Sequence, residues 1–276
     1  MLEPSIVKDE EVEYLIKDVH ELYGYDFSHY SRASFKRRIN RICLIDRFTS
    51  YAELRYTLMN DPEYLKRFVE EITVNVTEMF RDPSFFKALR EDILPQLGTY
   101  PLIRIWVAGC STGEEAYSIA ILLKEAGLYH KCLIYGTDIN PSVLEKARAG
   151  VFPIQQMKLY TENYILSGGK KEFSDYYTAN YDIVKFDSSL KEKLILSTHN
   201  LVSDSSFNSF QLIICRNVLI YFDKTLQEHV FKLFDESLEN LGYLALGSKE
   251  TLRFSNLDKN YNQVDNQKIW KKVEHH

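Results

Sequence analysis

One run of this chain combines residue types that could do chemistry: Gly109-Cys110-Ser111-Thr112-Gly113-Glu114-Glu115. An apolar stretch, 103–107, precedes it. Ala116, Ile119, Ala120 and Leu123 recur after it at helical spacing. Strand, tight glycine turn and helix form the first unit of a ligand-binding α/β sheet. Glycine lets the backbone approach a ligand closely, and the helix start offers free N–H groups and a partial positive charge. A phosphate would use those groups, but Glu114 and Glu115 would repel it. The glycines are also spaced G-x-x-x-G, not G-x-G-x-x-G as in dinucleotide binders. The acidic pair suits a cationic ligand instead. S-adenosylmethionine, with a sulfonium, an ammonium and no phosphate, is such a ligand. The plainer account is that both glutamates only complement the helix dipole.

Asp138 closes the apolar run 132–137 one βαβ step later, where an ionised carboxylate can accept both hydroxyls of a ribose. The alternative is that Asp138 merely caps a helix over 141–149. Asn200-Leu201 follow a strand-like run at 194–196, and Arg216-Asn217 follow the buried-strand run 210–215. Open α/β sheets bind ligands outside the carboxyl ends of their strands. Gly109 to Glu115, Asp138, Asn200 and Arg216-Asn217 are therefore expected on one rim, with Tyr221 in the turn that follows. Upstream, 72–82 alternates apolar and polar residues and contains Asn75, Thr77 and Arg81. It reads equally well as a connector between domains or as a linker facing the ligand. No metal-ligand spacing and no Ser-His-Asp order stands out, and His199, the histidine near the expected rim, reads as structural.

The elements that must position these residues fall into two groups. Residues 1–92 read as an N-terminal helical domain plus linker, and 93–274 as an α/β domain interrupted at about 150–192 by a small antiparallel β insertion. Within the first group, 31–46 carries Arg32, Lys36, Arg37, Arg38 and Arg41 with no acid before Asp46. Phe35, Ile39 and Ile42 share one face of that helix, and Arg37, Arg38 and Arg41 lie roughly opposite. This is either an ordinary solvated face or a docking surface for an acidic partner. Near the C-terminus a helix is expected over 224–240, stopped by Gly242, with final strands at 243–246 and 268–273.

At 276 residues, 45% hydrophobic and 26% charged, the chain has an ordinary globular composition. It contains no run of about 18 apolar residues, so no membrane insertion is expected, and no signal peptide is visible. A net charge of −5 argues against bulk nucleic-acid binding. The four scattered cysteines fit free thiols in a reducing cytoplasm, and a monomer is expected.

Five blocks, in order, resemble the chemotaxis receptor methyltransferases, the CheR family. They are Asn75-x-Thr77-x-x-x-Arg81-Asp82, Gly109 to Ala120, Thr137-Asp138-Ile139-Asn140 with Leu144 to Gly150, Asn200-Leu201, and Cys215-Arg216-Asn217-Val218-Leu219-Ile220-Tyr221-Phe222-Asp223. The resemblance implies a Rossmann-like methyltransferase sheet behind an all-helical domain. It implies transfer of a methyl group from S-adenosylmethionine to glutamate side chains on the cytoplasmic methylation helices of a bacterial chemoreceptor, giving glutamyl methyl esters. It implies that Asn75, Thr77 and Arg81 face the cofactor or the reacting carboxylate, Glu115 the methionine end, Asp138 the ribose, and Asn200 and Leu201 the adenine. Gly109 belongs to the cofactor loop. Arg216, Asn217 and Tyr221 would line the cofactor and transfer site, with Arg81, Arg216 and Tyr221 catalytic. Arg37, Arg38 and Arg41 would dock on the receptor. Three departures stand out. Trp106-Val107-Ala108 lacks the acid that many other methyltransferases carry before the first glycine. Ala116 replaces a frequent proline. The loop Leu166-Ser167-Gly168-Gly169-Lys170-Lys171 is short and lacks an arginine, which speaks against tethering of a receptor's C-terminal peptide. A cofactor-binding regulatory module, a methyltransferase of another protein, a nicotinamide-dependent oxidoreductase and a nucleic-acid methyltransferase remain alternatives.

Overall fold

Apolar residues at helical spacing build the first part of the molecule. The computed structural model describes residues 7–73 and 77–273. Helix α1 (Asp9–Tyr23) buries Val12, Leu15, Ile16 and Val19, and α2 (Arg32–Ile45) buries Phe35, Ile39 and Ile42. Two more helices, α3 (Tyr51–Asn60) and α4 (Pro62–Ile72), follow closely. Their starts are legible: Ser50 caps α3, and the Asp61 carboxylate accepts the N–H groups of Glu63 and Tyr64, with Pro62 at the first helical position. Phe27, Phe35 and Phe68 join these faces into one core. By its contacts the chain divides into two units, Met1–Asn75 with Leu219–His229, and Val76–Val218 with Val230–His276. Residues 77–92 therefore belong to the second unit, not to the helical one.

The basic run on α2 is less bare than its sequence suggests. Arg32 pairs with Glu13, and Lys36 with Asp9 at 2.6 Å, both acids of α1. Arg38 donates to the Glu71 carbonyl at 3.0 Å, and Arg41 stands 3.9 Å from the Glu71 carboxylate. Arg37 alone of the three outward arginines is exposed with no partner among the described residues. Acids missing from the segment itself are supplied by other helices.

In the second unit, apolar strand runs form a seven-stranded sheet in the order β6-β2-β1-β7-β8-β10-β9. Its strands are β1 (Ile103–Ala108), β2 (Cys132–Asp138), β6 (Leu194–Thr198), β7 (Phe210–Cys215), β8 (Leu238–Leu246), β9 (Tyr261–Asp265) and β10 (Ile269–Lys272). The pairs among β6, β2, β1, β7 and β8 are parallel, and β10 runs antiparallel to β8 and β9. Helices α5 (Pro83–Ala88) and α6 (Leu94–Leu97), joined by a π turn, precede the sheet. Helices α7 (Glu114–Glu125), α8 (Pro141–Ala149) and α10 (Lys224–Ser237) follow β1, β2 and β7. The insertion contributes a separate antiparallel sheet, β3 (Val151–Pro153), β5 (Ile183–Phe186) and β4 (Tyr177–Asn180), together with α9 (Met157–Leu166).

Trp106, in the strand that leads into the glycine turn, fills the core. Its indole N–H donates to Thr137 Oγ1 at 2.8 Å, and His199, Phe207, Phe210 and Phe234 surround its ring. The expected helix to Asn240 ends early, at Ser237, and β8 begins at once. Buried Lys272 explains the stop: its Nζ binds the carbonyls of Asp235 (2.6 Å) and Leu238 (3.2 Å). Gly242 lies within the strand, not at a helix end.

Candidate active site

Strand registers bring the predicted segments together. Ala108 pairs with Thr137, Asp138 with Thr198, and Val107 with Ile214. The loops after β1, β2, β6 and β7 thus leave the same edge of the parallel sheet. The β1 loop is a tight, largely left-handed turn: Gly109, Ser111 and Gly113 have φ of 73°, 51° and 97°. A Cβ on Gly109 would run into Val218, and one on Gly113 would lie 2.9 Å from Ala147. Ser111 lacks that freedom and is held in place, because its N–H donates at 2.9 Å to Asp138 Oδ2.

Asp138 sits at the centre of this edge. Its Oδ1 accepts the Asn140 N–H at 3.0 Å, so one carboxylate fixes the loops of β1 and β2 together. Burial pushes its carboxyl up, against the N–H groups of Asn140, Ser111 and Ile139 that pull it down. The cap of α8 is Asn140, whose side chain accepts the Ser142 N–H, not Asp138. Two buried polar atoms beside this carboxylate, Ser111 Oγ and Asn140 Nδ2, have no partner among the described residues. Both atoms are free to bond a ligand or water at this edge.

The two glutamates differ in environment. Glu114 is buried, accepts from Thr112 Oγ1 at 2.6 Å, and has the Tyr160 hydroxyl 3.5 Å away. Burial lifts its pKa from 4.5 to about 7. Native Glu114 therefore holds a proton that the unfolded chain releases between pH 4.5 and about 7, and this group's contribution to stability falls as pH rises through that window. Glu114→Gln should remove that slope, raising stability at pH 8 relative to wild type by up to about 3 kcal/mol. Chemical denaturation at pH 5 and pH 8 reads it; an unchanged slope refutes it.

Glu115 remains partly open and meets Arg216, whose Nη1 donates to Glu115 Oε1 at 2.6 Å. The other arm of Arg216 reaches Asp82 Oδ2 (2.6 Å) and the Arg81 carbonyl (3.1 Å), and the guanidinium lies 4.1 Å from the centre of the Phe85 ring. Arg216 thus joins the end of β7 to the first turn of α7 and to the segment entering α5. Asp82 precedes α5 but makes no capping bond; at φ 59° its side chain turns to Arg216.

Thr77 and Arg81 are both partly exposed in this unit, and Asn75 lies outside the described residues. The segment between Thr77 and Arg81 is anchored by two residues the sequence did not single out. Ser118 Oγ accepts the Phe80 N–H at 2.9 Å, and Asn163 Nδ2 donates to the Met79 carbonyl at 3.1 Å. A third is Glu250, a buried acid beyond β8. Its Oε2 accepts the N–H groups of Asn217 (3.0 Å) and Gly247 (2.6 Å), clasping the loops after β7 and β8 much as Asp138 clasps the other pair. Asn217 itself is left-handed, φ 61°. Asn200 builds its own turn, accepting from Val202, with Asp204 accepting the Asn200 N–H, and Leu201 is buried beside it. His199 donates its backbone N–H to the Asp138 carbonyl and packs against Trp106. Tyr221 clusters with the first unit.

An α/β edge with a left-handed glycine turn, buried acids and orphaned polar atoms is the setting in which the chain's relatives become informative. Residues 75–269 match the model of the CheR methyltransferase SAM-binding domain, and residues 10–73 that of the CheR methyltransferase all-alpha domain. This chain belongs to the CheR family. A Pseudomonas putida protein that bears the methyltransferase name Cher3 is 46% identical over 90% of each chain. The chemotaxis protein methyltransferase of Borreliella burgdorferi is 32% identical over 90% of each. That of Salmonella typhimurium is 34% identical over 80% of this chain and 74% of its own. Residues 75–269 are thus the S-adenosylmethionine-binding domain of a CheR methyltransferase, and residues of the second unit fit that cofactor: a partly open carboxylate at a helix start, Ser111 and Asn140 atoms without a partner among the described residues, and acids where a phosphate would be repelled. Among the described residues no group of side chains could hold a metal ion, and no helix is long and apolar enough to cross a membrane.

Proposed function

We propose that this protein transfers the methyl group of S-adenosylmethionine to glutamate side chains on the cytoplasmic methylation helices of a chemoreceptor, forming glutamyl methyl esters. The observation that carries this reading is the match of both domains, over 90% of each chain, to a chemotaxis protein methyltransferase. The chemistry agrees with it. A glutamate carboxylate is ionised at neutral pH and needs no general base, so the protein's task is alignment and exclusion of water. The bound cofactor supplies an electrophilic methyl on a sulfonium. Glu115 holds the ammonium end, Asp138 the ribose, and Gly109, Asn200, Leu201 and Asn217 the adenosine side, while Asn75 and Thr77 close the entry segment. Arg81 orients the incoming carboxylate by paired hydrogen bonds, and Tyr221 steadies the reacting groups. Arg216 holds Glu115 and the Arg81 segment in register. Arg37 and Arg41 meet the acidic receptor helices.

The test is transfer of tritiated methyl groups to membranes rich in unmethylated chemoreceptor, read as base-labile esters. Arg81→Ala and Tyr221→Phe should lower turnover by about tenfold or more with cofactor affinity within about threefold. Equal losses in turnover and affinity would remove both from the transfer step, and base-stable label would refute the ester.

A further inference from the structure

Tyr221 ends the short 3₁₀ turn Leu219–Tyr221 within the first unit, and residues just ahead of α2 hold its backbone there. The Tyr221 carbonyl accepts the N–H of Ser31, the residue before α2, at 2.8 Å. Next to it Phe222 forms an antiparallel bridge with Tyr30, their rings 5.1 Å apart. Asp223 donates its N–H to the His29 carbonyl at 2.9 Å and pairs with the His29 ring at 3.0 Å. Residues 221–223 therefore lie antiparallel to 29–31 across a single β-bridge.

The Tyr221 ring has a neighbour from α2 itself. The Arg38 guanidinium carbon stands 5.8 Å from its centre, within the range of a cation–π contact. Arg38 is half-buried. Its Nη1 donates to the Glu71 carbonyl in the last turn of α4, where a helix C-terminus favours a cation. Its Nε is buried without a hydrogen-bond partner among the described residues. Burial lowers the Arg38 pKa from its ordinary value, and the Tyr221 phenol opposes that. A docking residue needs its charge in solvent, as Arg37 has; Arg38 is instead fixed between a helix end and an aromatic ring.

We propose that Arg38 is a positioning residue for Tyr221, and that α2, through Arg38 and Ser31 together, couples receptor docking to the placement of the transfer segment. This rests on the reading that Tyr221 serves methyl transfer. A shift of α2 on docking would move both grips on Tyr221 at once.

The kinetic test uses S-[methyl-³H]adenosylmethionine and membranes from cells overproducing a chemoreceptor with unmethylated glutamates. Arg38→Ala should lower kcat by about tenfold with the receptor KM within about twofold, and Arg38→Lys, which keeps the charge and one donor, should recover part of kcat with KM likewise unchanged. Arg37→Ala should raise that KM instead. If Arg38→Ala raises KM and Arg38→Lys restores wild-type behaviour, Arg38 is a docking charge and the proposal is wrong. A second readout needs no receptor. With ¹³Cζ-labelled tyrosine, the signal lost in Tyr221→Phe identifies Tyr221, and in Arg38→Ala its phenol should titrate at higher pH than in the wild type. An unmoved signal and titration overturn the proposal. Absence of methyl esters with the wild-type protein would refute the receptor reading, while the tyrosine titration would still decide the role of Arg38.

Discussion

Replacement of Asp138 by alanine is expected to weaken binding of S-adenosylhomocysteine by about a hundredfold. The reason lies in what the carboxylate already does. Its two oxygens hold the N–H groups of Ser111 and Asn140, at 2.9 and 3.0 Å, and these residues carry the orphaned polar atoms of the cofactor edge. A buried donor left without an acceptor costs about 1–3 kcal/mol, and Ser111 would lose the bond that keeps it left-handed. The loop would relax, and the cofactor would have to restore it on binding. About 3 kcal/mol of such reorganisation corresponds to the hundredfold loss. Asp138→Asn should fall between the two, because its amide keeps one acceptor oxygen but turns N–H toward N–H at the other. Calorimetric titration with S-adenosylhomocysteine measures the affinity, and thermal unfolding separates it from stability. Affinity within twofold of wild type, even beside a lowered unfolding temperature, would refute the reorganisation argument and end the assignment of Asp138 to the ribose.

Asp138 shows how much of the site can be read from sequence. The strand-turn-helix at 103–123, the acid closing β2 and the polar pair closing β7 are local signals: a strand-like run, a punctuating residue, a change of period. Their meeting on one edge follows from the parallel order of the sheet. Glu250 carries no such signal, because it reaches Asn217 across 33 residues and stands in a polar loop. Ser118 and Asn163 are invisible for the same reason: what they hold, the backbone of 79–80, is distant in sequence. Asp82 before Pro83 has the pattern of a helix cap, yet a buried guanidinium outcompetes the cap's backbone donors for its charge. The misread end of α10 has a similar origin. Phe234, Leu238 and Leu241 continue helical spacing, and only Lys272, from the far end of the chain, stops the helix at Ser237. The same holds for α2, whose bare charge in sequence is answered by Asp9, Glu13 and Glu71 on its neighbours. Periodicity reports which face of an element is buried; it does not report which distant side chain completes a charge or a cap.

Arg216 gives the sharpest case and the second large effect. As a catalytic residue it would touch the reacting carboxylate, and its loss would lower kcat while stability and cofactor affinity stayed. The geometry predicts the opposite distribution. Its side chain is 2% exposed and both arms are committed, to Glu115 and Asp82 at 2.6 Å each, with the Arg81 carbonyl at 3.1 Å. An incoming carboxylate would have to displace one of those acids. Removing the cation leaves Glu115, 13% exposed, uncompensated, whereas Asp82, 42% exposed, regains water. Arg216→Met, which preserves length, should therefore destabilise the protein by about 2–3 kcal/mol, below the cost of breaking a fully buried pair. It should also weaken S-adenosylhomocysteine binding, because Glu115 loses the bond that aims it. Arg216→Lys should recover only part of both losses, since one ammonium cannot fork to two carboxylates. Adding Glu115→Gln to Arg216→Met should cost less than the sum of the single changes, as neighbours in one network do. Denaturant unfolding and calorimetry on the four variants decide the matter. Full stability and full affinity in Arg216→Met, with turnover lost, would return Arg216 to the transfer step. Coupled losses in both would make it the brace that sets Glu115 and the Arg81 segment at the distance the reaction needs.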